Sequence, residues 1–150
     1  MKIMSPNFEN NGLIPRRYSC EGEDINPTLQ FLEVPKGAAT LAIIMHDPDA
    51  PREGGFTHWL LWNLDPDTKI ITENSVPLGA GQGKNGSGEK GYRGPCPPAG
   101  SEHRYYFELY ALDIKLDLNE DDADRAVLEK AIDGHVIDKA KLMGIYKREE

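Results

Sequence analysis

Glycine and proline punctuate this chain densely, with 15 and 11 of 150 residues, about 17% against an average near 12%. Neither residue suits a helix interior, so the first two-thirds of the chain are predicted to be strands and loops. Candidate strands are Lys2–Pro6, Leu29–Val34, Thr40–His46, His58–Leu64 and Arg104–Ile114. Thr40–His46 is too continuously apolar for a half-exposed strand and predicts one buried on both faces. Arg104–Leu112 is aromatic-rich around single polar residues, the pattern of a strand packed against a second sheet.

At 150 residues the chain has the length of one ordinary domain, and it can bury about two-thirds of its unfolded surface without staples. A single domain over 1–150 is therefore expected. The two cysteines, Cys20 and Cys96, then read as free thiols, with Cys20 in the core. An uninterrupted apolar run no longer than Leu41–Met45 excludes a helical membrane span. The opening Met1-Lys2-Ile3-Met4-Ser5-Pro6 lacks the apolar run of a signal peptide, which points to a cytoplasmic location. With a net charge of −8, nucleic acid is not the default partner.

Past Asn119 the pattern changes. Asn119 is a good N-cap, and Glu120, Asp121 and Asp122 would sit where the helix dipole favours negative charge. Ala123, Val127 and Ala131 recur at helical spacing beside Ala126, Leu128 and Ile132. A helix over Asn119–Asp133 is predicted, stopped by Gly134. A second, shorter helix is predicted near Asp138–Met143. Acidic residues such as Asp124 and Glu129 form its neighbour's solvated face.

Half of the residues from Gly81 to Gly100 are glycine or proline. A loop of this length inside a domain is usually functional or disordered. It holds two overlapping G-x-G-x-x-G matches, Gly81–Gly86 and Gly86–Gly91, but neither opens a helix after a strand, as a dinucleotide site requires. A P-loop fails too, since Leu78 and Asn85 stand at two of its essential positions.

Two polar clusters remain. His46-Asp47-Pro48-Asp49-Ala50-Pro51 leaves an apolar strand, and Phe56-Thr57-His58-Trp59 enters the next. Gly94-Pro95-Cys96-Pro97-Pro98 is followed by His103-Arg104-Tyr105 at the head of the aromatic strand. Any one of these residues alone is ordinary turn or core chemistry. Together beside strand ends they mark a candidate site, because loops on a rigid sheet are where sites are usually placed. D-P-D-A-P at 47–51, H-W-L-L-W-N-L at 58–64 and G-P-C-P-P…E-H-R-Y at 94–105 resemble the phosphatidylethanolamine-binding proteins. The resemblance is closest to their small bacterial and archaeal, Raf-kinase-inhibitor-like branch. N-P-T-L at 26–29 also fits, so the resemblance spans nearly the whole chain.

The resemblance implies a mostly-β, Greek-key β-sandwich with short C-terminal helices and an anion-binding pocket at one end of the sheets. Asp47, His58, His103 and Tyr105 would line that pocket, with Ala50 and Pro51 as one wall. Gly94, Pro95, Pro97 and Pro98 would form the opposite rim, and Asp49 and Arg104 would pair behind it. The departures lie in the rim: Cys96 stands where many relatives have glycine, and the preceding loop is longer and richer in glycine. Both bear on pocket shape and ligand size.

Residue chemistry supports an anion on separate grounds. Residues 81–104 carry Lys84, Lys90, Arg93 and Arg104 against Glu89 and Glu102 within an acidic chain. Histidines can donate to a phosphate, and glycine-rich backbone can offer N–H groups. Asp47 can fix a histidine tautomer, or accept from a protonated phosphate oxygen or an ammonium. The expected function is therefore non-enzymatic binding of a phosphoryl group, an anion or a phospholipid head group. No cofactor is expected, and a partner protein, inhibited or modulated, and a homodimer are left open. One alternative is a hydrolase with Cys96 as nucleophile, His103 as base, and Asp47 or Asp49 orienting it. Another is a metal site from His58, His103, Asp47 and Asp49. Finally, the chain must turn sharply between Asp47 and Asp49, which favours a cis Ala50–Pro51 bond with Pro48 trans.

Overall fold

A computed structural model describes residues 1–149. In chain order the strands are β1 (Lys2–Met4), β2 (Gly12–Leu13), β3 (Leu29–Leu32), β4 (Thr40–Asp47), β5 (Phe56–Leu64), β6 (Ile70–Ile71), β7 (Gly81–Gln82), β8 (Glu102–Leu112) and β9 (Val136–Lys147). The helix α1 (Arg125–Ile132) lies between the last two strands. A small sheet has the order β1-β3-β6, and a large one β2-β9-β8-β4-β5-β7. Among the described residues, no helix is long and apolar enough to cross a membrane.

Strand β4 explains the layering. Its residues alternate between two cores: Leu41, Ile43 and Met45 join Phe31, Leu29 and Ile71 of the small sheet, while Ala42 and Ile44 pack with Leu128 and Ile132 of α1. Both faces are thus covered, as its unbroken apolar run requires. Strand β8 lies beside it, paired from Thr40↔Leu112 to His46↔Tyr106. Phe107 and Leu109 belong to the core between the sheets, and Tyr110 and Leu112 to the one under the helix.

The C-terminal part departs from expectation in two places. The helix starts at Arg125, not Asn119, because Asp124 is the N-cap, its side chain accepting from the Val127 N–H at 3.0 Å. Asn119 makes a turn instead, accepting from the Asp121 N–H. Glu120 is drawn away to accept the Gln82 N–H at 2.7 Å. The expected second helix at Asp138–Met143 is strand β9, paired antiparallel with β8 from Glu102↔Lys147 to Leu112↔Val136. Its buried residues Leu142, Gly144 and Tyr146 alternate with more exposed ones, a period of two that pairing with β8 enforces. Gly144 is required, since a Cβ there would lie 2.4 Å from Ile14 Cγ1.

The glycine-rich segment is built rather than loose. Asn85 is buried and its neighbours wrap it: its N–H donates to the Glu89 carbonyl and its side chain to the Gly91 carbonyl. The free-thiol expectation is also overturned, because Cys20 and Cys96 form a disulfide across 76 residues of sequence. Cys20 is exposed rather than in the core. The 92–96 segment doubles back onto residues 18–24, where the Tyr92 hydroxyl donates to the Tyr18 carbonyl and the Gly94 N–H to Asp24. That return path brings the two cysteine Cα atoms within 5.4 Å.

Candidate functional site

Strand ends place four polar side chains together. Asp47 terminates β4, and its Oδ1 accepts the Asp49 N–H at 2.7 Å, an Asx turn that starts the loop. On β8, His103 and Tyr105 are two apart and so share a face. His103 Nδ1 and Asp47 Oδ2 lie 2.6 Å apart, both residues buried. The carboxylate can only accept, so Nδ1 carries the proton and Nε2 is left for a ligand.

His58 reaches the same space through an irregularity. In the β4–β5 ladder Met45 faces Trp59 but His46 faces Thr57, which leaves His58 as the extra residue of a bulge. Strict alternation would put neighbouring His58 and Trp59 on opposite faces. The bulge re-aims His58, so Trp59 enters the core while His58 lines the cavity. The ring donates from Nδ1 to the Arg93 carbonyl at 2.5 Å. Burial lowers its pKa to about 4, against smaller opposing effects that include the Arg93 carbonyl and Asp47. His58 is therefore a neutral ring whose Nε2 is an acceptor at neutral pH.

These residues surround a cavity of about 430 Å³, within the usual range for small-ligand sites. Asp47, Ala50, Pro51, His58, Gly94, Pro97, Pro98, His103 and Tyr105 all line it. Pro95 does not; it is buried behind the rim, its carbonyl accepting from the Cys20 N–H. Arg52, Phe56, Ser87, Arg93 and Cys96 complete the lining. Phe56 could have been inferred from its place two residues before His58. Arg52 and Arg93 adjoin the two motifs, and Arg93 is already among the positive charges favouring an anion; Ser87 comes from the glycine-rich segment and carries no such signal. The Tyr105 hydroxyl is buried without a hydrogen-bond partner. Its pKa is raised, first by burial and then by the Asp47 charge, so it stays a donor.

Other expectations need correction. No peptide bond among the described residues is cis. The D-P-D-A-P loop turns by other means: the Asx turn at Asp47, an Arg52 N–H bond to the Ala50 carbonyl around Pro51, and left-handed Gly54 and Gly55. Gly55 approaches so closely that a Cβ would lie 2.2 Å from the Asp47 carbonyl oxygen. Cys96 has no thiol and cannot serve as a nucleophile. Among the described residues no three His, Cys, Asp or Glu side chains converge as metal ligands.

Asp49 receives Arg104 through both ends of the guanidinium, at 3.0 and 2.8 Å, and its main-chain N–H at 2.9 Å. The hydrogen bond from Arg104 holds the Asp49 pKa down to about 2. The pair is half-open to water, the arginine side chain being 51% exposed, so it lacks the energetics of a buried ion pair.

Two sheets around a shared core, with a polar-lined cavity at the strand ends, define a mostly-β protein. The family profile for phosphatidylethanolamine-binding protein matches residues 4–147. A UPF0098 protein of Methanothermobacter thermautotrophicus is 48% identical over 153 aligned residues, covering 99% of each chain. A crystal structure from Chlamydia trachomatis, described as a phosphatidylethanolamine-binding protein homolog, superposes with a TM-score of 0.93 at 42% identity, covering 99% of this chain and 97% of that one. Escherichia coli YbcL, described as a new member of the mammalian family, gives a TM-score of 0.93 at 25% identity, with 99% and 98% covered. The chain belongs to the phosphatidylethanolamine-binding protein family, in its bacterial and archaeal branch.

Proposed function

We propose that the cavity binds the phosphoryl group of a small anionic ligand or lipid head group, without turning it over. The observation that carries this is the buried, unpartnered Tyr105 hydroxyl beside two histidines whose Nδ1 atoms are already engaged. A buried hydroxyl without a partner is unfavourable, and a ligand oxygen would relieve it. Arg52 and Arg93 at the mouth supply positive charge. The disulfide removes the one thiol that could have supported hydrolysis.

Calorimetric titration with phosphoethanolamine near pH 6 tests this. Binding is expected, and Tyr105→Phe weakens it roughly tenfold while leaving stability nearly unchanged, because the free protein loses no hydrogen bond. Absence of binding, or an unaffected Tyr105→Phe affinity, contradicts the proposal.

A further inference from the structure

We infer that the pocket selects a phosphomonoester in its singly protonated, monoanionic form, because His58 presents to the ligand an acceptor and not a donor. This rests on the phosphoryl-binding function proposed above and specifies the chemical form of the ligand.

The geometry fixes the tautomer. The Arg93 carbonyl can only accept, so the 2.5 Å contact puts the His58 proton on Nδ1. Nε2 is then a lone pair, and the ring stays neutral at neutral pH because burial disfavours its charged form. The groups around it are Phe56 on its own strand, Asp47 from β4, His103 and Tyr105 from β8, and Arg52 and Arg93 from the loops. Asp24 adds a more distant charge. His103 has its Nδ1 committed to Asp47 and turns its other ring edge toward the same cavity. Tyr105 donates its hydroxyl.

The pocket thus sets one bare acceptor, His58 Nε2, beside the donors of Tyr105 and the two arginines. The three terminal oxygens of a monoester monoanion, ROPO₃H⁻, offer two acceptors and one donor. A dianion has no proton for His58 Nε2 and would set an anionic oxygen against a lone pair. Sulfate at neutral pH has the same defect. A diester has no proton either and only two terminal oxygens.

The test is calorimetry on the unmodified protein from pH 5 to 8, using methyl phosphate, methylphosphonate and difluoromethylphosphonate. Phosphate monoesters lose their second proton near pH ~6, the phosphonate loses it at higher pH, and the fluorinated one at lower pH. Affinity is expected to fall about tenfold per pH unit above each ligand's own second ionisation, with three separate midpoints. Sulfate and the diester glycerophosphoethanolamine should bind at least tenfold more weakly than methyl phosphate at pH 6, since each leaves the buried acceptor unpaired.

Coincident midpoints would mean that a protein group titrates instead, and would overturn this inference while leaving phosphoryl binding intact. Diester or sulfate binding equal to that of methyl phosphate would do the same. Failure of every phosphoryl ligand at every pH would overturn both. His58→Gln supplies an amide donor, so its pH dependence should flatten; an unchanged profile in a folded variant contradicts the inference. A short-chain phosphatidic acid carries the same monoester on a lipid and should share the profile. Whether it or methyl phosphate binds tighter identifies a lipid or a free-ester source.

Discussion

The two walls of the pocket are made differently. One is carried by strands: Asp47 ends β4, His58 sits in a β5 bulge, and His103 and Tyr105 stand on β8. The other, from Gly94 to Pro98, has no regular structure and is held by tethers to residues 18–24. The strand wall carries the ligand chemistry on backbone fixed by ladder hydrogen bonds. The loop wall sets shape, and its position depends on one covalent bond and a few hydrogen bonds. Precision and shape thus come from separate parts of the chain, which meet at the hydrogen bond from His58 to the Arg93 carbonyl.

The largest effect should come from cutting the loop wall loose. A crosslink spanning 76 residues contributes about 4 kcal/mol through loop closure in the unfolded chain. Cys96→Ser, or reduction, should lower stability by about that amount in chemical denaturation. His103 and Asp47 should stay paired, because neither is attached to the tether. Loss of that pairing in a folded Cys96→Ser protein would show that the walls are not separable.

A smaller effect belongs to the strand wall. His58 ionises at about 4 in the folded protein and near 6.5 unfolded. Its folded value is depressed, so between those limits the unfolded chain binds the extra proton. The contribution is fully present above pH ~6.5 and is lost as pH falls toward 4, by roughly 3 kcal/mol at ~1.4 kcal/mol per unit. His58→Gln should remove this slope. Asp49 and Glu108, each held down to about 2 by their partners, extend the loss to still lower pH, below their ordinary values near 4. A wild-type stability flat between pH 6.5 and 4 would contradict the neutral assignment.

The smallest change is expected outside both walls. Arg104→Ala should lower the melting temperature only slightly, because the Asp49 pair is exposed to water, and it should leave ligand affinity unchanged. A large affinity loss would place Arg104 in the site itself.

The same division decided what could be read from sequence. The apolar run of β4 and the aromatic pattern of β8 are local signals, and both became strands close to their expected bounds. Motifs at 47–51, 58–64 and 94–105 identified nine residues of the cavity lining. The disulfide escaped because a contact across 76 residues leaves no local trace. Strand β9 was misread as a helix because Asp138–Met143 suits a helix locally, and only pairing with β8 makes its alternation matter. The His58 bulge is a property of register between two strands, which neither strand's pattern displays.

The four histidines provide the most direct test of the account. His58 and His103 line the cavity, whereas His46 is paired with Glu108 and His135 with Asp113 elsewhere. Nitrogen-15 NMR of the imidazoles, recorded while methyl phosphate is added at pH 6, reads all four in one sample. The account predicts that the Nε2 signals of His58 and His103 move and saturate together, while those of His46 and His135 stay in place. Movement of His46 or His135 with His58 and His103 unchanged would contradict it.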